Sequence, residues 1–286
     1  MSGTTPSPDS FTSRWETSDA EKHIVAEPGE TAIEDHRLWV GAQRREKTRL
    51  RLLASALTVF ADKGTDIAVI EDFIAAAGVS RGTFYNHFKT TNGLMLALAT
   101  AMSNEVLAVV DSVVLTFSDP VLRFSAGFRL YMHMALRYPV WGGLLTRVGT
   151  RIATRGQLID GYLTRDLELA HMSRKIKVDS VLVARNIVLG SIIYGIETML
   201  MESARDHHPE NLLRSVLIGL GLELKVAEAI AFMPLPCPAS VEGRIFSALK
   251  PTIATESSCA SPLGEGDGMI GFRRLTGAPL PVGDAS

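Results

Sequence analysis

The chain has 286 residues, 46% of them hydrophobic and 7% aromatic, with 29 Lys and Arg against 31 Asp and Glu. That length and apolar share permit one large or two modest domains with a substantial core, and they exclude wholesale disorder. The net charge of −2 conceals an asymmetry: residues 1–43 carry −5, whereas residues 44–89 carry +3, led by Arg44, Arg45, Lys47, Arg49 and Arg51. Such a basic block suits a polyanion, and equally a solvated helix face. The first forty residues are polar, Ser/Thr-rich and acidic, unlike a signal peptide. The most apolar stretch, residues 178–201, is interrupted by Asp179, Arg185, Asn186 and Glu197, which argues against a membrane span. Cys237 and Cys259 lie in a Pro/Gly-rich tail. They read as reduced thiols of a cytoplasmic protein with neither a disulfide framework nor a zinc site.

Proline marks the borders. Of the 13 prolines, 3 fall in residues 1–43 and 7 in residues 234–286. Both ends are expected to be disordered tails, apart from a short helix over residues 241–249 suggested by Val241, Ile245, Phe246 and Leu249. Between them no alternating runs suggest strands. A first helix over residues 44–63 aligns Leu53, Ala56, Leu57 and Phe60 at i, i+3, i+4 and i+7, and Gly64 ends it. A second, residues 69–77, repeats the spacing with Ile70, Phe73, Ile74 and Ala77 and stops at Gly78. Ser80 then caps a third helix, residues 81–88, with Phe84 and Phe88 inward. A fourth, residues 92–115, carries Leu94, Leu98, Met102 and Val106.

Two short helices joined by Gly-Val-Ser cannot bury their stripes alone, and the first helix supplies the cover, as in a helix-turn-helix. In that motif the N-terminal residues of the second short helix reach base edges in the major groove. Arg81 suits guanine, Asn86 adenine and the Thr83 methyl thymine. Gly82 admits close approach of the backbone, and Tyr85 and His87 carry polar tips for phosphate oxygens. The N–H groups behind Ser80 favour phosphate through the helix dipole. Arg44, Arg45 and Lys47 can follow the DNA backbone.

The run from Leu52 to Lys63-Gly64, followed by Ile70-x-x-Phe73-Ile74-x-x-Ala77-Gly78-Val79-Ser80-Arg81-Gly82-Thr83-Phe84-Tyr85-Asn86-His87-Phe88 and Leu94, closely resembles the N-terminal domain of the tetracycline-repressor (TetR) family. The resemblance spans about residues 47–98. It implies an all-helical homodimeric transcription regulator, usually a repressor released from a palindromic operator by a small ligand. Three positions depart from the family pattern: Ala68 where a capping Thr is common, Glu71 where a basic residue is frequent, and Thr91 where a phosphate-binding Lys is usual. Lys89 and Thr90 lie close enough to substitute in part.

Residues 116–233 read as further helices over 120–137, 140–150, 158–170, 178–204 and 209–232. The last two form an apolar hairpin able to pair with its own copy, a role the TetR resemblance also implies. Ile187, Gly190, Tyr194, Leu213, Val216, Leu217, Leu220 and Leu224 are the interface candidates. An aromatic and Met-rich set, Phe128, Tyr131, Met132, Trp141, Leu145 and Tyr194, suits an apolar ligand pocket. Arg147, Arg151 and Arg155 recur at helical spacing and read as a solvated face. His207-His208 lacks enough nearby ligands for a metal, and no catalytic motif is present.

The expected architecture is therefore all-α: a tail (1–43), a three-helix helix-turn-helix DNA-binding domain (44–90), a helical ligand-binding and dimerisation domain (91–233) and a mostly disordered tail (234–286). The expected partners are double-stranded operator DNA, a second copy and a small-molecule effector, with no cofactor, metal, membrane or enzymatic activity. The alternatives are a ligand-sensing or interaction protein on the same fold with weak or non-specific DNA binding, and an enzyme built on helices.

Overall fold

The computed structural model describes residues 28–64, 67–153, 157–201 and 206–248. Among them are ten α-helices and no strand: α1 (Pro28–Lys63), α2 (Ile70–Ala77), α3 (Arg81–His87), α4 (Thr91–Val114), α5 (Pro120–Arg137), α6 (Pro139–Val148), α7 (Leu158–Met172), α8 (Val181–Met201), α9 (His208–Gly219) and α10 (Leu224–Ala231). Among the described residues, those up to Arg45 belong to one unit and those from Glu46 onward to another, the division falling within α1. The expected boundary at residue 204, Arg155, Leu249 and Cys259 all fall outside the described residues.

In the second unit, α2 and α3 are too short to persist alone and survive by burying aromatic rings against α1. Leu53, Leu57, Phe60, Phe73 and Phe84 are no more than 1% exposed, and the Phe60 and Phe73 rings sit 5.1 Å apart. Gly78, at φ 58° and ψ 43°, takes the left-handed conformation that lets the chain turn between the two helices at low steric cost. Farther on, α5 is the central helix, touching α4, α6, α7, α8 and α9. Its Phe124, Phe128, Tyr131, Met132 and Ala135 are all buried.

Four features differ from the sequence expectation. First, α1 starts at Pro28, well before Arg44. Second, the expected last helix over 209–232 is two helices. Gly221 adopts φ 89°, and a Cβ there would strike Lys177, whose N–H donates to the Leu220 carbonyl at 2.8 Å. Third, residues 234–248 are bound to the bundle: Val241, Ile245 and Phe246 are buried, and the only helical turn there is a 3-10 turn at Phe246–Ala248. Fourth, Cys237 is disulfide-bonded, where the sequence reading expected a reduced thiol.

Both α4 and α8 are long and apolar enough to cross a membrane, and 50% and 39% of their apolar windows are buried inside the fold. For α4 that apolarity is used in packing, since Leu94 and Leu98 at one end and Leu107 and Val110 at the other are all buried.

Candidate DNA interface and effector pocket

The outer edge of α3 is built from its cap outward. Ser80 Oγ accepts the Thr83 N–H at 3.1 Å and lies 2.9 Å from the Thr83 hydroxyl, so the first turn is fastened without using the helix surface. Phe84 and Phe88 point inward, while Arg81, Gly82, Tyr85, Asn86 and Lys89 are exposed and Thr83 and His87 are half-buried. The Tyr85 ring stands edge-on to Phe84 at 5.7 Å, which steadies its hydroxyl-bearing end. Lys89 Nζ donates to the Tyr85 carbonyl at 2.9 Å, placing a positive charge at the C-terminal end of the helix.

Two contacts here were missed from sequence. The Arg49 guanidinium lies over the Phe88 ring, 5.3 Å from its centre, so one member of the basic block anchors α1 to α3 through a cation–π contact. Arg81, expected to read a base, is instead paired with Glu71 of α2. Both are more than half exposed, so the pair is weak and exchangeable. Ala68 is buried, and the cap of α2 falls one residue later, at Val69, whose N–H donates to the Asp72 carboxylate at 3.1 Å. The Lys63 hydrogen bond, then that from Val69, hold the Asp72 carboxyl below the usual carboxylate range. Arg44, Arg45 and Lys47 are exposed on α1, the first two within the N-terminal unit.

A second site lies between α4, α5, α7 and α8. It is a cleft of about 500 Å³, solvent at its open side included, and its apolar wall includes Leu107, Val110, Phe124, Phe128, Ile159 and Ile192. One edge is polar. Arg165 grips Asp166 with two hydrogen bonds, at 2.9 and 3.0 Å, and reaches Asp111 at 3.4 Å. Arg123 Nε lies 3.0 Å from Asp166 Oδ1, a buried ion pair without the alignment of a hydrogen bond. The carboxylates Asp111 and Asp166 thus face two guanidiniums and balance them.

Of the expected pocket residues, Phe128 and Tyr131 line this cavity. Met132, Trp141 and Leu145 are buried elsewhere in the core, and Tyr194 is 69% exposed on α8. The Tyr131 hydroxyl and Ser103 Oγ of α4 are 3.0 Å apart, and Trp141 Nε1 donates to the same Ser103 Oγ at 3.2 Å. Burial pushes the Tyr131 phenol well above its ordinary value, against the opposing effect of the Ser103 hydrogen bond, so it remains protonated. The polar edge escaped the sequence reading because Asp111, Arg123, Arg165 and Asp166 come from three helices with no shared motif.

Residues 52–98 match the bacterial regulatory proteins of the tetR family, and residues 119–232 match the tetracyclin repressor-like C-terminal domain. Together the two matches cover more than half of the chain. The chain belongs to the TetR family. Over 49 residues it is 41% identical to an uncharacterized HTH-type transcriptional regulator, YvdT, of Bacillus subtilis (strain 168), a match that takes in 17% of this chain and 25% of that protein. Among solved structures it is similar to RolR in complex with resorcinol, at 28% identity and a TM-score of 0.62, covering 69% of this chain and all of RolR. RolR without ligand gives 26% identity and a TM-score of 0.58, over 66% of this chain and 99% of that one.

Within this TetR-family fold the expected interface residues divide into two groups. Leu213, Val216, Leu217 and Leu220 are at most 5% exposed and already covered by their own chain. Ile187, Tyr194 and Leu224 are exposed and Gly190 is half-buried. With Val183 and Met201, which are also exposed, the residues on α8 form an apolar row that sequence reasoning placed only in part.

Proposed function

We propose that this chain is a homodimeric, cytoplasmic repressor that binds a palindromic operator and releases it when a small hydroxylated aromatic compound enters the pocket between α4, α5, α7 and α8. The observation carrying the DNA reading is the edge of α3: Arg81, Tyr85 and Asn86 stand exposed over a fully buried Phe84, a rigid rod with its polar side outward. A dimer provides two such edges for half-sites about one DNA turn, roughly 34 Å, apart.

The pocket favours a flat, mostly apolar ligand with one or two hydroxyls. Its walls are aliphatic and aromatic, and the charged groups at its rim, Asp111, Arg123, Arg165 and Asp166, are mutually neutralised. The similarity to RolR, solved with resorcinol, supports the same class of ligand. Coupling runs through α4. A ligand touching Tyr131 meets a side chain bonded to Ser103 of that helix, and α4 begins four residues after α3 ends. The ligand shifts the population toward a dimer whose recognition helices are wrongly spaced.

Selection from a random DNA pool tests the reading: a palindrome is expected, and enrichment of no sequence overturns it. Titration of the selected complex with resorcinol then tests the ligand class, with release expected. The Glu71–Arg81 pair favours a second reading, weak and non-specific DNA binding, which predicts a steep salt dependence with no sequence preference.

A further inference from the structure

The family match ends at residue 232, yet the next sixteen residues are bound to the bundle at both ends. The Met233 carbonyl accepts from Arg129 Nη1 at 2.6 Å. Prolines at 234, 236 and 238 then keep the segment extended and short of N–H donors. Arg137, in the last turn of α5, donates to the Pro238 carbonyl at 3.4 Å and to Ser240 Oγ at 3.0 Å. The Val241 N–H donates to the Tyr138 hydroxyl at 3.2 Å, and the Phe246 ring meets the Tyr138 ring edge-on at 4.8 Å. The segment ends on α4, where the Glu105 carboxylate accepts the N–H groups of Ile245 and Phe246 at 2.9 and 3.1 Å. A methyl group at Gly243 would overlap that carboxylate, so the close approach requires glycine.

Glu105 occupies a particular place on α4. The helix-turn-helix match ends at residue 98, and the pocket wall begins at Leu107. Ser103, two residues earlier and nearly opposite Glu105 around the helix, ties the inner side of α4 to Tyr131 and Trp141. The strap therefore grips the outer side of the same turn and fastens it to the corner between α5 and α6. We propose that residues 233–248 are a built-in clamp that fixes the resting position of α4 and thereby sets the operator affinity of the effector-free protein. This rests on the operator-binding function proposed above. A helix held on both sides samples fewer positions, so binding DNA costs less conformational entropy. Releasing the outer hold returns that cost.

The test uses the whole 286-residue chain without effector. Glu105→Ala removes the acceptor, Gly243→Ala pushes the carboxylate off its donors from the strap side, and Glu105→Gln keeps an acceptor oxygen in the same shape. Hydrogen exchange is expected to rise about tenfold in the strap and in the middle of α4 for the first two variants, with α7 and α8 unchanged. Affinity for the operator selected by the wild type is expected to fall about tenfold, with affinity for unrelated DNA at the same salt unaltered. Glu105→Gln should lie between them and the wild type in both measurements. A wild type that selects no sequence overturns the proposed function and this regulation of it together. A wild type that selects an operator, with strap-released variants binding it as tightly, overturns the clamp alone. So does unchanged exchange in α4.

Discussion

The Arg81–Glu71 pair is where the chemistry of α3 is most open to test. Glu71 carries a negative charge beside the surface proposed to meet phosphate, and it occupies the guanidinium expected at guanine. Glu71→Gln should tighten DNA binding about 3- to 10-fold at low salt, by freeing Arg81 and removing a repulsion. Fluorescence anisotropy on the selected operator reads this, and unchanged binding places Arg81 away from the duplex. Arg81→Ala should cost about 1–3 kcal/mol and relax preference at one base pair, whereas Tyr85→Phe should weaken all sequences alike. Selection repeated with each variant separates the two effects. At Tyr131, loss of the hydroxyl in Tyr131→Phe leaves Ser103 with only Trp141 as partner. The melting curve should show about 1 kcal/mol of lost stability, and more resorcinol should be needed to release DNA.

Among the elements, α9 is held to α5 by a buried charge cluster. Arg129 Nε donates to Glu210 at 3.0 Å and His133 Nε2 lies 3.2 Å from the same oxygen. Burial pushes the Glu210 carboxyl up, but the His133 hydrogen bond and the charge of Arg129 outweigh it and hold the group at about 2, below its ordinary 4.5. A carboxyl lowered in the fold adds stability that is fully present above its unfolded value and lost as pH falls through the folded one. Melting temperature should therefore drop between about pH 5 and pH 2, by an amount equivalent to roughly 2–3 kcal/mol. Glu210→Gln should flatten that dependence. The same region shows why element boundaries were only partly legible. The stripe Leu213, Val216, Leu217, Leu220, Leu224 continues in helical register across the break at Gly221, so periodicity alone joined α9 to α10. The signal lay in Gly219 and Gly221, and only the close approach of Lys177 to Gly221 makes the break obligatory. By contrast α2 and α3 were legible almost to the residue, because Gly78 and Ser80 act through local turns and caps.

For the whole molecule, the proposed dimer assigns the exposed row on α8 to assembly. Ile187→Glu combined with Tyr194→Arg should yield a monomer on sedimentation and abolish specific DNA binding while preserving helical content, since both side chains are exposed in the single chain. A dimer that survives those changes refutes the α8 interface. Leu217→Ala should instead destabilise the chain by about 2–5 kcal/mol, because Leu217 is 0% exposed within it. The apolar stripe of α9 and the apolar row of α8 look alike as sequence, and only packing against α5 tells which one is already covered.

What the sequence alone determined was the helical class, the three-helix DNA-binding unit and its outward edge from Arg81 to Asn86. Caps, glycine turns and 3.6-residue stripes act over a few neighbouring residues and need no knowledge of the rest of the chain. What only the tertiary structure decided was the polar rim of the pocket, the pairing of Arg81 with Glu71, the share of apolar surface left exposed on α8 and the return of residues 233–248 onto α4. Each depends on which distant helix faces which, and the charge and hydropathy of a residue say nothing of its partner until the fold brings the two together.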